Sequence, residues 1–433
     1  MRSGRCIAGL VLALAAAPLA AQQKPVLTLE EAVGRAELVQ PQVVQARGSV
    51  SSAAARQRAA LGSFLPNLTV NGSVGDFYSE GQRIDPNTGQ LIETGTTNRS
   101  VNTSISSSVE LFAGFRRSSE RRAANATRTA AEAGLENSRF QQRLITTNQF
   151  FDALAAGELV RVREAGVRRA EQQLEVAVAR LRAGAAILPD SLRSVVTLGN
   201  AQLALLTAQT TLATAEANLG RLVGFEGQVS PADDSSFYRI IEAVDTSGLR
   251  AEALSNAPAV RASEAQASAA RSAIGVAKAG YFPSLTFSGN AQLNGSRNND
   301  YSFLKQRQFQ LQMSWPIFNR FQREQQVATN QIAAENAEAN AAEDRRQVLA
   351  DLTSGIAALE SARLRIGITQ TSVLAAREDL RVQQERYRLG AATIVDLLTS
   401  QEALSQAEVD EINARFDYIR ARTQIGTLIG RTL

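Results

Sequence analysis

The sequence predicts an α+β fold, mostly α, in which one architecture is written twice. Each copy holds a short helix, a β-hairpin and a pair of very long helices. Three observations predict it. Phrases recur at fixed offsets, and apolar residues alternate with period two in four stretches. Two proline-free runs, Arg116–Arg182 and Arg320–Arg388, are rich in Ala, Glu, Gln and Arg.

The repeat comes first because it orders everything else. FLPNLTVNG (Phe64 to Gly72) aligns with YFPSLTFSG (Tyr281 to Gly289), and Ala36, Pro41 and Val43 align with Ala253, Pro258 and Val260, all at an offset of 217. From Phe112 and Phe115, which pair with Phe318 and Phe321, the offset becomes 206 and holds to LGRLVG (Leu219 to Gly224) against IGTLIG (Ile425 to Gly430). The first copy therefore carries eleven extra residues between Gly72 and Phe112, in a stretch containing RIDPNTGQ. Asp85-Pro86-Asn87 and Gly89 are turn chemistry, so the insertion is expected in a loop. The expected divisions are 22–224 for the first repeat, 225–248 for a linker and 249–433 for the second repeat.

Taken in order, residues 1–21 read as a secretory signal peptide: Arg2 and Arg5, an apolar run from Ile7 to Ala17, then small residues to Ala21. That run is shorter than the ~20 residues a membrane-spanning helix needs. Thr28 with Glu31 forms a capping box that opens the first short helix. Hairpins follow at about 66–112 and 283–316. Leu68, Val70 and Val74 alternate with Thr69, Asn71 and Ser73, and Phe309, Leu311 and Met313 alternate with Gln308, Gln310 and Gln312. Such alternation is a strand signal. It suits either a soluble antiparallel sheet or a transmembrane barrel with a watery lumen, and the uncharged polar faces favour the barrel. Tyr78, Tyr281, Tyr301 and Trp315 fall where interfacial aromatics are expected.

Helix pairs are expected over about 116–224 and 320–430. Val160, Val167, Leu174 and Leu181 recur every seven residues, as do Ile366, Val373, Leu380 and Tyr387, which marks a coiled-coil seam. Four strands cannot close a barrel, and an open edge cannot sit in lipid, so two or more chains must pool their strands.

Composition narrows the function classes. Histidine is absent and the only cysteine, Cys6, lies in the signal segment. That excludes Ser-His-Asp and Cys-His catalysis and His- or Cys-ligated zinc or haem, and no phosphate-binding glycine loop is present. An enzyme is not expected, nor is a cofactor. Net charge is +4, and opposite charges alternate along the helices, which reads as solvated helix faces rather than a nucleic-acid footprint.

The strand beginnings FLPNLTVNG and YFPSLTFSG, the strand exits ELFAGFRR and WPIFNRFQR, and RYRLGAATIVDLL (Arg386 to Leu398) together make the chain resemble the outer-membrane efflux protein family, the TolC-like channels. The resemblance covers essentially the whole mature chain. It implies a homotrimer sharing a twelve-stranded β-barrel in outer-membrane lipid, above a periplasmic α-barrel of coiled-coil helices. It further implies docking of the helix tips on a periplasmic adaptor joined to an inner-membrane transporter. Toxic small molecules, or secreted polypeptides in type I secretion, would leave through that duct. In this pattern Tyr387 matches a tyrosine that latches the closed entrance, and Asp396 an aspartate that rings the pore. The pattern's basic residue at the place of Ala392 and its second aspartate at the place of Thr399 are missing, so a single acidic ring with a weaker latch is implied. Asn319-Arg320 also replaces the usual glycine-rich strand exit.

The candidate residues carry plainer readings as well. Gly184 and Gly390, followed by Ala185-Ala186 and Ala391-Ala392, end long helices; they serve as C-caps, or as small docking tips, or both. Asp396 stands at N3 after Thr393, where it caps a returning helix; threefold symmetry would also multiply it into an acidic ring. Asp190 follows Pro189 at the corresponding helix start. Glu110 is the one acidic residue on the polar face of its strand, facing the lumen or solvated in a bend. A periplasmic coiled-coil structural or adaptor protein without a barrel is the competing function; it explains the heptads but not the strands.

Overall fold

A computed structural model describes residues 24–238, 246–296, 300 and 302–431. The expected signal peptide and Tyr301 lie outside the described residues, as does 239–245 of the expected linker. The first half runs β1 (Val26–Leu27), α1 (Leu29–Val39), α2 (Pro41–Gly62), β2 (Asn67–Ile84), β3 (Leu91–Ala113), α3 (Arg116–Arg182) and α4 (Leu188–Leu222). After β4 (Ser230–Pro231), which pairs in parallel with β1, the second half repeats the order: α5 (Thr246–Asn256), α6 (Pro258–Lys278), β5 (Ser284–Ser296), β6 (Leu304–Ser314), α7 (Gln322–Arg388) and α8 (Ile394–Ile429). The offsets read from the sequence are offsets of structure. α5, α6 and β5 begin 217 residues after α1, α2 and β2, and α7 and α8 begin 206 after α3 and α4.

The four long strands form one antiparallel sheet in the order β2-β3-β5-β6, so the two hairpins are joined by pairing of β3 with β5. Both outer edges, β2 and β6, are open within one chain. The register stacks like with like: Val70 opposes Ile105, Ile105 opposes Ala291, and Phe287 opposes both Val109 and Leu311. The other face is a field of Ser, Thr, Asn and Gln, with Ser104 against Gln292 and Gln292 against Gln306. The apolar face is solvent-exposed within a single chain, Leu68 at 72% and Phe309 at 74%. An exposed apolar sheet face with an uncharged polar reverse is what lipid outside and water inside require.

The eleven-residue insertion is not a loop. β2 and β3 span 18 and 23 residues and stay paired out to Ile84 opposite Leu91, whereas β5 and β6 span 13 and 11. Only Asp85 to Gln90 turn the chain: the Asp85 carboxylate accepts from the Asn87 N–H and the Thr88 hydroxyl, and Asp85 and Gln90 close the turn with a 2.9 Å backbone bond. The extra residues thus lengthen a two-stranded ribbon beyond the sheet, and Tyr78 lies within that ribbon rather than at a strand end.

α3 and α7 are each 67 residues, about 100 Å at 1.5 Å per residue. The second hairpin packs on the expected seam: Ile366, Val373, Leu380 and Tyr387 are all buried. In the first, Val160 is buried but Val167, Leu174 and Leu181 are only half-buried, and Ala170, Gln173 and Ala177 take the buried line. The physical reason is a second neighbour. α3 also meets α8, where Arg169 pairs with Glu408 at 2.9 Å and Arg163 donates to the Ser405 hydroxyl, so its buried stripe rotates between two partners. The main core is a girdle where α1, α3–α8 and the β1–β4 pair converge, including Phe150, Phe151, Leu219, Val260, Phe416 and Ile425. A separate small core of Val373, Leu380, Tyr387, Ile394, Leu397 and Leu404 holds the far end of the second helix pair.

Candidate functional site

Two ends of the molecule concern function: the tips of the helix pairs, and the junction where sheet becomes helix. At the tips the chain stops α3 and α7 in the same way. Gly184 has φ +72° and Gly390 has φ +76°, left-handed conformations that glycine adopts without strain. Each ends its helix with a pair of backbone bonds, Gly184 to the Leu181 carbonyl (3.0 Å) and Ala185 to Arg180 (2.8 Å), then Gly390 to Tyr387 (3.1 Å) and Ala391 to Arg386 (2.8 Å). This double closure is a Schellman cap. The plain capping reading of both glycines is therefore observed. Ala185 and Ala391 are exposed, Ala186 is half-buried, and Ala392 packs on the small tip core.

One residue ties the two tips together. The Arg180 guanidinium lies 4.5 Å from the Tyr387 ring centroid, donates through Nη1 to the Tyr387 carbonyl and through Nη2 to the Ala185 carbonyl at 3.2 Å. Its counterpart Arg386 reaches only its own tip, at the Ala391 carbonyl (3.3 Å), and the neighbouring Gln383. Arg180 is the functional candidate that sequence reasoning missed. Arg180 and Arg386 occupy the same place in the two repeated phrases, four residues before each turn glycine, but that likeness does not single out either one.

Tyr387 is 3% exposed, and its hydroxyl has no hydrogen-bond partner among the described residues. Burial raises its pKa above the usual phenol value; the Arg180 charge opposes the rise and the Asp190 carboxylate adds to it. Asp190, at N3 of α4, thus acts across copies on Tyr387. Asp396 is exposed and completes a reciprocal capping box: its backbone N–H donates to the Thr393 hydroxyl (3.2 Å), and its Oδ2 accepts from the Thr393 N–H (3.0 Å) and hydroxyl (2.8 Å). Those bonds, the backbone one foremost, hold its carboxyl below the ordinary aspartate value, with a smaller contribution from Arg386. Thr399 lies one turn on, exposed, its hydroxyl donating to the Val395 carbonyl.

At the junction, Glu110 shares a row of the polar face with Thr286 and Gln312, just before the register shift between Glu110 and Phe112. Its carboxylate pairs with Arg116, the first residue of α3, which also pairs with Glu120 at 2.8 Å. The chain leaves the sheet here through two left-handed residues in each copy, Gly114 and Phe115 (φ +59° and +64°), then Arg320 and Phe321 (φ +58° and +62°). Among the described residues no cluster of acidic side chains could hold a metal ion, and no helix is long and apolar enough to cross a membrane.

Comparison with known proteins agrees with this geometry. A family model described as outer membrane efflux protein matches residues 32–225 and 249–431. The pyoverdine export outer membrane protein OpmQ of Pseudomonas putida is 24% identical over 350 residues, 78% of this chain and 72% of that protein. The cobalt-zinc-cadmium resistance protein CzcC of Cupriavidus metallidurans is 25% identical over 353 residues, 81% of this chain and 82% of that one. The solved outer membrane protein VceC of Vibrio cholerae superposes with a TM-score of 0.76 at 17% identity, covering 93% of this chain and 96% of that chain. The periplasmic coiled-coil protein without a barrel is thereby set aside: the chain belongs to the outer membrane efflux protein family and is an export channel of the outer membrane.

Proposed function

We propose that three copies of this chain assemble into a continuous duct that receives cargo from an inner-membrane transporter through a periplasmic adaptor. The observation that carries the assembly is the pair of open sheet edges, β2 and β6, on a sheet whose apolar face is bare. Lipid does not tolerate unpaired strand edges, so β6 of one copy pairs with β2 of the next until the barrel closes at twelve strands. The duct has no catalytic step. Among the described residues of the four-stranded sheet, the lumen face carries one acidic side chain, Glu110, which Arg116 compensates, so the barrel discriminates little by charge and the transporter chooses the cargo.

The gate in this reading is the tip of the second helix pair. Three Asp396 carboxylates, which the Thr393 bonds keep ionised to lower pH than an ordinary aspartate, form a negative ring that favours cations and binds multivalent ones. Arg180 clamps the inner tip to the outer one through Tyr387, and release of that clamp lets the tips part. The small Gly184-Ala185-Ala186 and Gly390-Ala391-Ala392 turns offer the adaptor a surface free of long side chains.

Single-channel recording in planar bilayers tests these roles. Arg180→Ala is expected to raise the conductance of the resting channel severalfold, and Asp396→Ala to abolish cation preference and block by trivalent ions. Unchanged conductance in the first removes the latch, and unchanged selectivity in the second removes the ring. Absence of any channel from the wild type would overturn the duct.

A further inference from the structure

The outward row of β6 carries two cations with no counter-charge beside them. By register, Lys305 opposes Leu293 and Arg307 opposes Ala291, which places both cations in the outward row of β6 above Phe309, Leu311 and Met313. Both are exposed, and neither has an ion-pair or hydrogen-bond partner among the described residues. The contrast with the neighbouring hairpin is sharp. There the outward cation Arg99 is held by Asp76 through two bonds, 2.6 and 2.7 Å, which occupy both carboxylate oxygens. An unpaired cation facing hydrocarbon is costly at mid-bilayer and nearly free at the interface, so height decides its meaning.

Height follows from the same strand. Trp315, immediately below β6 and exposed on the same outward row, donates its indole N–H to the Tyr281 carbonyl at 3.2 Å and marks the inner aromatic girdle. Lys305 lies ten residues farther up, roughly 33 Å along the strand at ~3.3 Å per residue. A tilt of about 40° reduces that to about 25 Å upright, the height of the apolar band of such barrels. Lys305 therefore reaches the outer-leaflet headgroups. Arg307 starts roughly 5 Å lower and reaches them by extending its stem along the strand. The two side chains leave the same face about 7 Å apart, a spacing that grips one phosphate from two sides.

We propose that Lys305 and Arg307 form a site on the outside of the barrel for the phosphate groups of outer-leaflet glycolipid. The occupant is lipid phosphate because the two cations stand at headgroup height and the strand beside them offers only Leu293 and Ala291, while the outward carboxylate Asp76 of the other hairpin is held by Arg99. The site rests on the outer-membrane channel reading. It adds that the channel is anchored in the outer leaflet by charge as well as by its apolar band.

Native mass spectrometry of the purified protein, with bisphosphorylated lipid A as the probe, tests the site. Wild type is expected to retain lipid A, and Lys305→Gln with Arg307→Gln to bind it at least tenfold more weakly. The charge-conserving pair Lys305→Arg with Arg307→Lys should retain binding, and wild type should lose it when the probe's phosphates are removed. Equal binding by the double glutamine variant, or equal binding of the dephosphorylated probe, overturns the site. So does displacement of lipid A by inorganic phosphate at equimolar concentration, which would assign the cations to a free anion. Should the double variant fail to fold, the single variants Lys305→Gln and Arg307→Gln are each expected to weaken binding, and normal binding in both overturns the site. Bilayer conductance of the same samples separates the two readings: channels that conduct normally while lipid binding is unchanged refute only the lipid site.

Discussion

The two strand exits share a backbone and differ in what surrounds it. In both copies the chain passes from sheet to long helix through two left-handed residues, Gly114-Phe115 and Arg320-Phe321, whose φ angles agree within a few degrees. In the first copy a side chain at Gly114 would start 2.6 Å from the Ala279 carbonyl oxygen and 2.6 Å from the Phe282 Cβ, so only glycine fits. In the second copy Arg320, which follows the open β6 edge, is exposed and meets no such wall within its own chain. Duplication has kept the turn because the barrel needs it twice. Glycine is enforced by sterics in one copy, and the other carries an arginine at a backbone cost of ~1 kcal/mol.

Substitution at these paired positions gives the largest expected contrast. Gly114→Ala forces backbone against backbone and is expected to destabilise by roughly 3 kcal/mol or more, lowering both folded yield and thermal midpoint. Arg320→Gly should be neutral to about 1 kcal/mol stabilising, since it relieves left-handed strain and loses little contact. Equal effects of the two substitutions would mean the turn is held by something other than the Ala279 and Phe282 wall.

The long helices make the next contrast. Leu380 is 5% exposed in the small tip core, while its counterpart Leu174 is half-buried because α3 divides its stripe between α4 and α8. Leu380→Ala is expected to cost about 2–5 kcal/mol, and Leu174→Ala about 1 kcal/mol in one chain. Hydrogen exchange of the tips locates the loss: α7 and α8 should lose protection beyond Leu380 while α3 and α4 keep theirs. A large loss for Leu174→Ala in the assembled channel, but not in the dissociated chain, would show that a neighbouring subunit covers it.

These contrasts also explain how much was legible in the sequence. The helix α3 could be read to its last residue, because nothing interrupts Arg116–Arg182 and Gly184 ends it. The duplicated frame was legible because fixed offsets survive divergence of side chains. The ribbon beyond the sheet was not. Along Asp76 to Glu80 the alternation of polar and apolar residues lapses, and Asp85-Pro86-Asn87 carries a turn signal stronger than the strand around it. Such a ribbon stands outside lipid, where no environment imposes alternation. At the tips, Asp396, Tyr387 and both glycines were legible as local chemistry. Arg180 was not, since its role depends on an approach between copies that brings residue 180 to residue 387, and nothing in a run of arginines on a solvated helix singles one out.

The smallest contrast lies in how the returning helices begin. α8 opens with the Thr393–Asp396 capping box, whereas α4 opens at Ile187 with no side-chain cap. Thr393→Ala removes a cap worth about 1 kcal/mol, and Ile187→Ser introduces a hydroxyl where none existed, with an expected gain of roughly 0.5–1 kcal/mol at the first tip. The pH dependence follows from the same bonds. Asp396 titrates below the ordinary value of 3.8 when folded, so its contribution is fully present above that value and fades as pH falls through the folded pKa. Acidification into that range should therefore loosen the start of α8 and neutralise the Asp396 ring together, while α4, with no such carboxylate bond, is unaffected. Hydrogen exchange at the two tips, followed downward from pH 5, measures both. Equal loosening of α4 and α8 would mean that acid acts through carboxylates elsewhere on the two helix pairs rather than on the cap.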